Sequence, residues 1–125
     1  MSYLARMRTT FSVSTVAQAA ALAALADEAH TRKALINNAE QAQVLMSGMA
    51  ELGFRHVPTW ANFIYCELGE DAGAVARQLQ AEGVIIRPLG PWGAPTAIRI
   101  TIGTPEQNQF FLQAFKRVMQ RVAVK

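Results

Sequence analysis

The amino-acid sequence predicts a small α/β fold, an α+β sandwich of two layers in which packed helices cover a small mixed sheet behind one long helix. Two observations predict it. Apolar residues recur at spacings of three and four between residues 15 and 52 and again beyond residue 104, which indicates helices. Stretches in which apolar and polar residues alternate lie between them, at 54–58, 61–68, 84–89 and 97–102. With a further helix at 71–82, the order of elements is α-α-β-β-α-β-β-α.

Composition and charge exclude several classes of protein. Hydrophobic residues make up 51% of the 125 residues and charged residues 17%, which is ordinary for a soluble globular chain and too apolar for a disordered one. Twelve basic and nine acidic residues give a net charge of +3, and the basic residues are scattered along the chain. Because nucleic-acid binding usually needs a basic stripe or patch, we expect no nucleic-acid partner.

Nothing in the sequence predicts a membrane span or an export signal. The longest apolar stretch, VAQAAALAALA at 16–26, is interrupted by Gln18 and is shorter than the roughly 18 residues that a membrane span needs. Cys66 is the only cysteine, which excludes an internal disulfide and a cysteine-based zinc cluster. We therefore expect a cytoplasmic protein without membrane contact or metal, in which Cys66 packs as a small apolar side chain.

The first predicted helix is rich in alanine. It follows an extended or irregular start at 1–14 and begins at Thr15, and its main bulky side chains are Leu22 and Leu25. Such a helix buries little surface of its own. We therefore expect it to dock on something larger and to leave apolar surface exposed along 13–26 in this chain alone.

The second predicted helix is longer and runs from about Thr31 to Leu52, where Gly53 supplies a left-handed stop. A helix of about 20 residues is roughly 30 Å long, enough to bridge two domains. Its apolar stripe is predicted to consist of Leu35, Asn38 or Ala39, Ala42, Leu45, Met46, Met49 and Leu52.

Alternation then predicts the strands and the helix between them. In the stretch 61–68, one face carries Ile64, Cys66 and Leu68, and the other carries Phe63 and Tyr65. Asp71 is predicted to cap a helix that buries Val75 and Leu79 and ends at Gly83. The loop GPWGAP separates the last two strands.

A capping box predicts the start of the last helix, with Thr104 and Gln107 as its two members and Pro105 at the first helical position. Apolar residues at helical spacing follow it. The side chains that this helix is predicted to bury are Phe110, Phe111, Ala114, Phe115, Val118, Met119 and Val122.

Two arginines on predicted strands are the candidate functional residues. In the stretch AIRITI, alternation places Arg99 on the face opposite Ile98 and Ile100. Arg87 lies on the preceding strand, across the GPWGAP loop. Two guanidinium groups on neighbouring strands can converge on one carboxylate or phosphate through paired hydrogen bonds. Alternation alone leaves a second interpretation open, in which both arginines are solvated or bridged to acids such as Glu67.

The other polar residues do not form a recognisable catalytic or metal-binding pattern. His30 and His56 lack the spacing that places two ligands on one helix face, and no serine sits in a GxSxG turn. The glycine loop lacks the pattern of a nucleotide-binding loop. Trp60 and Trp92 lie in predicted loops, where we expect them to pack at an edge.

Four segments of the sequence form a recognisable set. In chain order they are RMRTTFSVSTVAQAAALAALAD, LGFRHVPTWANFIYCEL, GVIIRPL and IRITIGTPEQNQFFLQAF. Together they resemble the carboxyl-terminal part of histidinol-phosphate aminotransferases, which are pyridoxal-phosphate enzymes with the fold of aspartate aminotransferase. The resemblance covers nearly the whole chain.

The resemblance implies roles for three residues. Arg99 matches the arginine that binds the α-carboxylate of the amino-acid substrate, and Arg87 matches an arginine expected to help hold the phosphate of histidinol phosphate. Asn62 matches the asparagine of the family's ANFI strand, which lies near the site. The expected small-molecule ligands are therefore glutamate, 2-oxoglutarate and histidinol phosphate, and the intact enzyme is expected to be a homodimer.

The resemblance also implies three regions. Residues 1–27 match the tail of the large cofactor-binding domain, residues 28–53 the helix between domains, and residues 54–125 the small domain that closes over substrate. The family's Schiff-base lysine and the aspartate that pairs with the cofactor's ring nitrogen belong upstream of these segments. We therefore assign no catalytic and no cofactor-binding residue here, and we expect this chain alone not to transaminate.

Two alternatives remain open from the sequence. The chain is either part of an aminotransferase that uses pyridoxal phosphate or a free-standing module derived from the same fold. Such a module would bind small anions through the two arginines, or it would form oligomers or bind a partner through the alanine-rich helix.

Overall fold

The structure, a computed structural model, describes Tyr3 and residues 13–123, so most of the predicted irregular start at 1–14 lies outside the described residues. The helices are α1 (Thr15–Ala26), α2 (Glu28–Glu51), α3 (Ala72–Ala81) and α4 (Pro105–Ala123), and a short 3-10 helix covers Gly90–Trp92. The strands are β1 (Arg55–His56), β2 (Phe63–Glu67), β3 (Arg87–Leu89) and β4 (Ala94–Thr101). Among the described helices, none is both long enough and apolar enough to cross a membrane.

The chain divides into two compact units, Met1–Leu35 and Ile36–Lys125. The division falls inside α2, a helix that belongs to both units. The domain limits implied by the resemblance, after residues 27 and 53, therefore stay a prediction.

In the first unit, helix α1 forms as predicted and buries none of its residues. The Ser14 hydroxyl caps it by accepting the N–H of Ala17 at 3.1 Å. Helix α2 begins three residues before the predicted Thr31, because the Asp27 carboxylate accepts the N–H of His30 at 2.9 Å and caps it there. Leu35 is 66% exposed, so its predicted place in the buried stripe of α2 is wrong for this chain alone.

The second unit contains a four-stranded sheet in the order β1-β2-β4-β3. Its described strand pairs are all antiparallel, so the predicted mixed character of the sheet is wrong. Strands β2 and β3 are connected through α3. The two strands do run in the same direction, but β4 lies between them and pairs with both.

Three strands are shorter than predicted or begin elsewhere. Regular pairing begins at Arg87 rather than at Val84, because the N–H of Val84 donates to the carbonyl of Leu79 at 2.9 Å and completes the end of α3. Strand β1 retains only two residues of the predicted 54–58. Strand β4 begins at Ala94, inside the predicted loop.

The core lies between the sheet and helices α2, α3 and α4. Cys66 is fully buried, so it packs as the predicted apolar side chain. This burial is the main cause that raises the pKa of its thiol to about 12. The rest of the predicted alternation in β2 holds too, since Ile64 is buried and Phe63 and Tyr65 are half-buried. The largest fully buried side chains are Phe115, Leu45, Met49, Ile64, Leu79, Ile98, Val75, Val118 and Cys66.

Helix α4 supplies the aromatic part of the core. The ring of Phe115 lies 5.0 Å from that of Phe54, edge to face, and 5.5 Å from that of Phe111. Phe110 is 49% exposed, so its predicted burial is wrong. Consecutive helical residues point about 100° apart, and Phe111 is the one that shares a face with Phe115.

The predicted caps at the starts of α3 and α4 and the predicted glycine stops after α2 and α3 are confirmed. The side chains of Thr104 and Gln107 each accept the other's N–H, at 3.4 and 3.0 Å. The Asp71 carboxylate accepts two N–H groups at the start of α3. Gly53 and Gly83 follow α2 and α3 with φ of +85° and +83°, where a side chain would be strained.

Candidate functional site

Arg99 lies on the face of β4 opposite the core. Ile98 and Ile100 are 0% and 3% exposed on the inner face, and Arg99 between them is half-buried on the outer face, as the alternation predicted. Its neighbours across the sheet are Tyr65 on β2 and Arg87 on β3. Arg99 is therefore held by hydrogen-bonded strands on both sides.

Arg87 is the register partner of Arg99 on the edge strand. Residues directly opposite in an antiparallel pair place their Cβ atoms roughly 4.5–5.5 Å apart on one face of the sheet. Both arginines line one cavity of about 480 Å³, named here the arginine cavity. Its lining consists of Ile85, Ile86, Arg87, Pro88, Trp92, Arg99 and Thr101.

An aromatic ring supports each guanidinium group. The Cζ atom of Arg99 lies 4.4 Å from the centre of the Phe63 ring, and that of Arg87 lies 5.5 Å from the Trp92 ring. A guanidinium group that stacks on a ring uses its face, so the N–H groups along its edge remain available as donors. This arrangement suits paired hydrogen bonds to a carboxylate or phosphate.

Neither arginine is paired with an acid in the described part of the chain. The ion pairs found there join Arg117 and Arg121 to Glu82, at 3.0 and 2.9 Å. The alternative that the two arginines are bridged to Glu67 is therefore not what this structure contains. Like charges directly opposite on neighbouring strands repel. An anion placed between the two guanidinium groups would relieve that repulsion.

The carboxylate of Glu67 accepts hydrogen bonds from groups other than the two arginines. The hydroxyl of Tyr65 donates to one carboxylate oxygen at 3.3 Å, and the N–H of Gly69 donates to the other at 3.3 Å. The Thr96 hydroxyl is the first cause that lowers the pKa of Glu67, and these two donors lower it further. Arg55 lies opposite Glu67 on β1, and its charge is a further, smaller cause that lowers this pKa, so the carboxylate is stabilised without Arg87 or Arg99.

Asn62 lies outside the arginine cavity. It immediately precedes β2, its side chain is exposed, and its carbonyl oxygen accepts the N–H of Ile102 at 2.9 Å. The predicted role of Asn62 near substrate stays a prediction. In the structure, the backbone of Asn62 links the start of β2 to the end of β4.

Phe63 and Trp92 are functional candidates that the sequence did not reveal. Alternation placed Phe63 on the same face as Tyr65, but only the pairing of Tyr65 with Arg99 brings its ring under the guanidinium group. Trp92 was expected to pack at an edge, and it is 64% exposed in the cavity wall. The sequence feature that could have predicted its role is its position in the loop that joins the two strands with the arginines.

The described residues do not fit covalent binding of pyridoxal phosphate. Such binding needs a lysine in the site, and the described lysines are Lys33 on α2 and Lys116 on α4, both exposed and outside the arginine cavity. Lys125 lies outside the described residues. The two aspartates of the sequence, Asp27 and Asp71, cap helices and do not match the aspartate that pairs with the cofactor's ring nitrogen. The chemistry of this site is therefore derived from the arginines alone.

Comparison with known proteins gives one family. A model of aminotransferase class I and II matches residues 1–115. The curated histidinol-phosphate aminotransferase of Moorella thermoacetica is 43% identical over 116 residues, which cover 93% of this chain and 30% of that protein. Histidinol-phosphate aminotransferase 2 of Pseudomonas fluorescens is 42% identical over 118 residues, which cover 94% of this chain and 32% of that protein. The chain thus spans about a third of the length of these relatives.

Solved structures agree with the predicted fold class. The histidinol-phosphate aminotransferase of Sinorhizobium meliloti, in complex with pyridoxal-5'-phosphate, matches with a TM-score of 0.79 and 25% identity over 96% of this chain and 34% of that chain. The enzyme of the same name from Clostridium acetobutylicum matches with a TM-score of 0.80 and 21% identity over 93% of this chain and 36% of that chain. The resemblance inferred from the four sequence segments is confirmed.

Proposed function

Since this chain belongs to the aminotransferase class I and II family, we propose that the arginine cavity binds the anionic groups of a small amino-acid or keto-acid substrate. One observation carries the proposal. Arg87 and Arg99 are register partners that line one cavity, each stacks on an aromatic ring, and neither has an acidic partner among the described residues.

The two arginines have different tasks in this proposal. Arg99, half-buried between two strands, binds the α-carboxylate through the fork of its guanidinium group. Arg87, on the edge strand and exposed, takes the phosphate of histidinol phosphate, whereas a small free anion such as inorganic phosphate lies between the two guanidinium groups and contacts both. These tasks match histidinol phosphate as one substrate and glutamate or 2-oxoglutarate as the other. Asn62 is proposed to act near the substrate from the neighbouring loop.

Transamination also needs residues that hold the cofactor, and the described part of this chain does not supply them. In the intact enzyme, pyridoxal phosphate would carry the amino group between the two substrates. We propose that such an enzyme is a cytoplasmic homodimer in which residues 1–27, 28–53 and 54–125 are the end of the large domain, the connecting helix and the small domain. On this proposal the present chain orients substrate and does not transaminate alone.

The proposal predicts that the chain binds small anions by itself, because the described lining of the arginine cavity lies within the second unit. Trp92 reports binding by its fluorescence, and Trp60, which is 94% exposed, is replaced by phenylalanine to remove its signal. Inorganic phosphate, glutamate and histidinol phosphate are expected to give saturable curves with dissociation constants on the order of millimolar. A signal that rises linearly with each ligand, like that of added chloride, would refute the proposal.

Helix α1 supports a second candidate function, an interaction module. The side chains of Val16, Leu22 and Leu25 are 79%, 71% and 82% exposed. Apolar side chains this close together on a helix are usually covered by a partner. The candidate occupants are the rest of a longer chain, a second copy of this chain or another protein.

The exposed face of α1 is expected to bind an apolar fluorescent dye. Replacing Leu22 and Leu25 with glutamine should lower the dye signal and leave the unfolding temperature unchanged, because neither side chain is buried. Val57→Gln is the matched control, since Val57 is 54% exposed elsewhere. Equal dye signals from the double variant and the control would show that α1 is not the apolar surface. Sedimentation of the unaltered chain then decides whether a second copy covers α1. A dimer supports a second copy, and a monomer supports the rest of a longer chain or another protein.

A further inference from the structure

Two loops meet at one end of the sheet, next to the arginine cavity. One loop enters β2 through Ala61, and the other leaves β4 through Gly103. Helix α2 holds both loops by consecutive side chains. The amide nitrogen of Asn38 donates to the carbonyl oxygen of Ala61 at 3.1 Å, and that of Asn37 donates to the carbonyl oxygen of Gly103 at 3.1 Å.

Asn108 holds the second loop from the other side. It is 2% exposed, and its side-chain oxygen accepts the N–H of Gly103 at 3.0 Å. Its amide nitrogen donates to the carbonyl oxygen of Gly103 at 3.2 Å and to the side-chain oxygen of Gln41 at 3.1 Å. Asn37, Asn38, Gln41 and Asn108 are named here the carboxamide clamp.

The loop at Gly103 packs closely against two side chains of the first turn of α4. A Cβ atom at Gly103 would lie 2.6 Å from the side-chain oxygen of Gln107 and 3.3 Å from that of Asn108. Gly103 therefore sits in direct contact with the first turn of α4 while its carbonyl oxygen accepts from α2. The end of β4 is fixed against two helices at once.

The same two loops directly flank the strand segments that carry Phe63 and Arg99. Gly103 is four residues after Arg99, and Ala61 is two residues before Phe63, whose ring lies under that guanidinium. Phe63 pairs with Thr101, at the point where the two loops are joined by the hydrogen bond from Ile102 to Asn62. A shift of either loop would therefore change the distance between the cation and the ring that supports it.

We propose that the carboxamide clamp is a set of positioning residues that hold Arg99 over Phe63 in the geometry that binds an anion. The inference deepens the proposed function of the arginine cavity and rests on it. A clamp that only stabilised the fold would affect unfolding and leave the position of the guanidinium unchanged.

The first arm of the test needs no ligand. A guanidinium proton above an aromatic ring is shifted upfield in the nuclear magnetic resonance spectrum, so the Arg99 Nε–H signal reports the distance to Phe63. Asn37→Ala and Asn38→Ala are each expected to lose part of this upfield shift, and the double variant most of it. Gln43→Ala, at an exposed position on the same helix, and Val75→Ala, in the core, are expected to retain it. Full retention in the folded double variant would overturn the proposal.

The second arm measures the dissociation constant for inorganic phosphate well below the unfolding temperature of each variant. The double variant is expected to bind about fivefold more weakly, which is within the range for one buried hydrogen bond. Val75→Ala should bind within about twofold of the unaltered chain although it is less stable, because Val75 lies on α3 and is not a member of the carboxamide clamp. Unchanged binding by the double variant together with an altered Arg99 signal would also overturn the proposal.

Asn108→Asp separates the donors of the clamp from its acceptor. Aspartate retains an oxygen for the N–H of Gly103 but offers no hydrogen to Gly103 or Gln41. It is expected to lie between the unaltered chain and Asn108→Ala in both arms, whereas a purely structural role predicts no graded change in the Arg99 signal. If the unaltered chain binds no phosphate, the proposed function fails, and the Arg99 signal still decides whether the clamp positions the guanidinium.

Discussion

Replacing Arg99 with alanine is expected to weaken the binding of inorganic phosphate and 2-oxoglutarate to this chain by about 10- to 100-fold. The variant loses charge-assisted hydrogen bonds from a guanidinium group that two strands and the Phe63 ring hold in place. Arg87 remains, so weak binding at the edge of the cavity should persist. The loss is measured by titration with the Trp92 signal.

Two variants separate geometry from charge. Arg99→Lys keeps the charge but cannot form the paired hydrogen bonds, so it should bind more weakly than the unaltered chain and more tightly than Arg99→Ala. Arg77→Ala removes the same charge from an exposed position on α3 and should leave binding unchanged apart from a small effect at low salt. Equal weakening by Arg77→Ala and Arg99→Ala would mean that net charge, and not the arginine cavity, attracts the anion.

Replacing Phe115 with alanine is expected to lower the free energy of unfolding by about 3–5 kcal/mol. Phe115 is fully buried, and its ring contacts those of Phe54 and Phe111 on two sides. The cavity left behind would lie where α4 meets the end of α2, because Phe54 directly follows Gly53 at that end. Chemical denaturation monitored by circular dichroism measures the change.

Phe110→Ala is the matched control on the same helix. Phe110 is 49% exposed, so its loss should cost about 1 kcal/mol or less. The comparison tests the rotation of α4 about its own axis, which the sequence predicted only in part. A larger loss for Phe110 than for Phe115 would mean that α4 presents a different face to the sheet.

Most of the fold is predictable because its signals are local. The caps at Asp71 and Thr104 and the glycine stops at Gly53 and Gly83 depend on neighbouring residues, and all four are confirmed. The partners of each strand depend on contacts distant in sequence. The mixed sheet predicted from the sequence is wrong for this reason. In the structure, β4 lies between β2 and β3, and every described strand pair is antiparallel.

The candidate site, like the fold, was predictable where its signals are local and not where they depend on distant contacts. Alternation placed Arg99 on the outer face, but no local signal fixes the register that sets Arg87 opposite it and Phe63 beneath it. The roles of Asn37 and Asn38 were missed for the same reason. Local spacing gives no signal for Asn37 and offers Asn38 or Ala39 for the apolar stripe of the helix, because the loop carbonyl groups that the two asparagines bind are 66 and 23 residues away in sequence.

The binding of an anion by the arginine pair is tested most directly by labelling the arginine side chains with ¹⁵N and titrating the unaltered chain with inorganic phosphate. We expect the Nε–H signals of Arg87 and Arg99 to shift together and to saturate with one dissociation constant, on the order of millimolar, while the signal of Arg77 does not move. Signals of all three arginines that shift alike and without saturation would show that the arginine pair does not bind the anion.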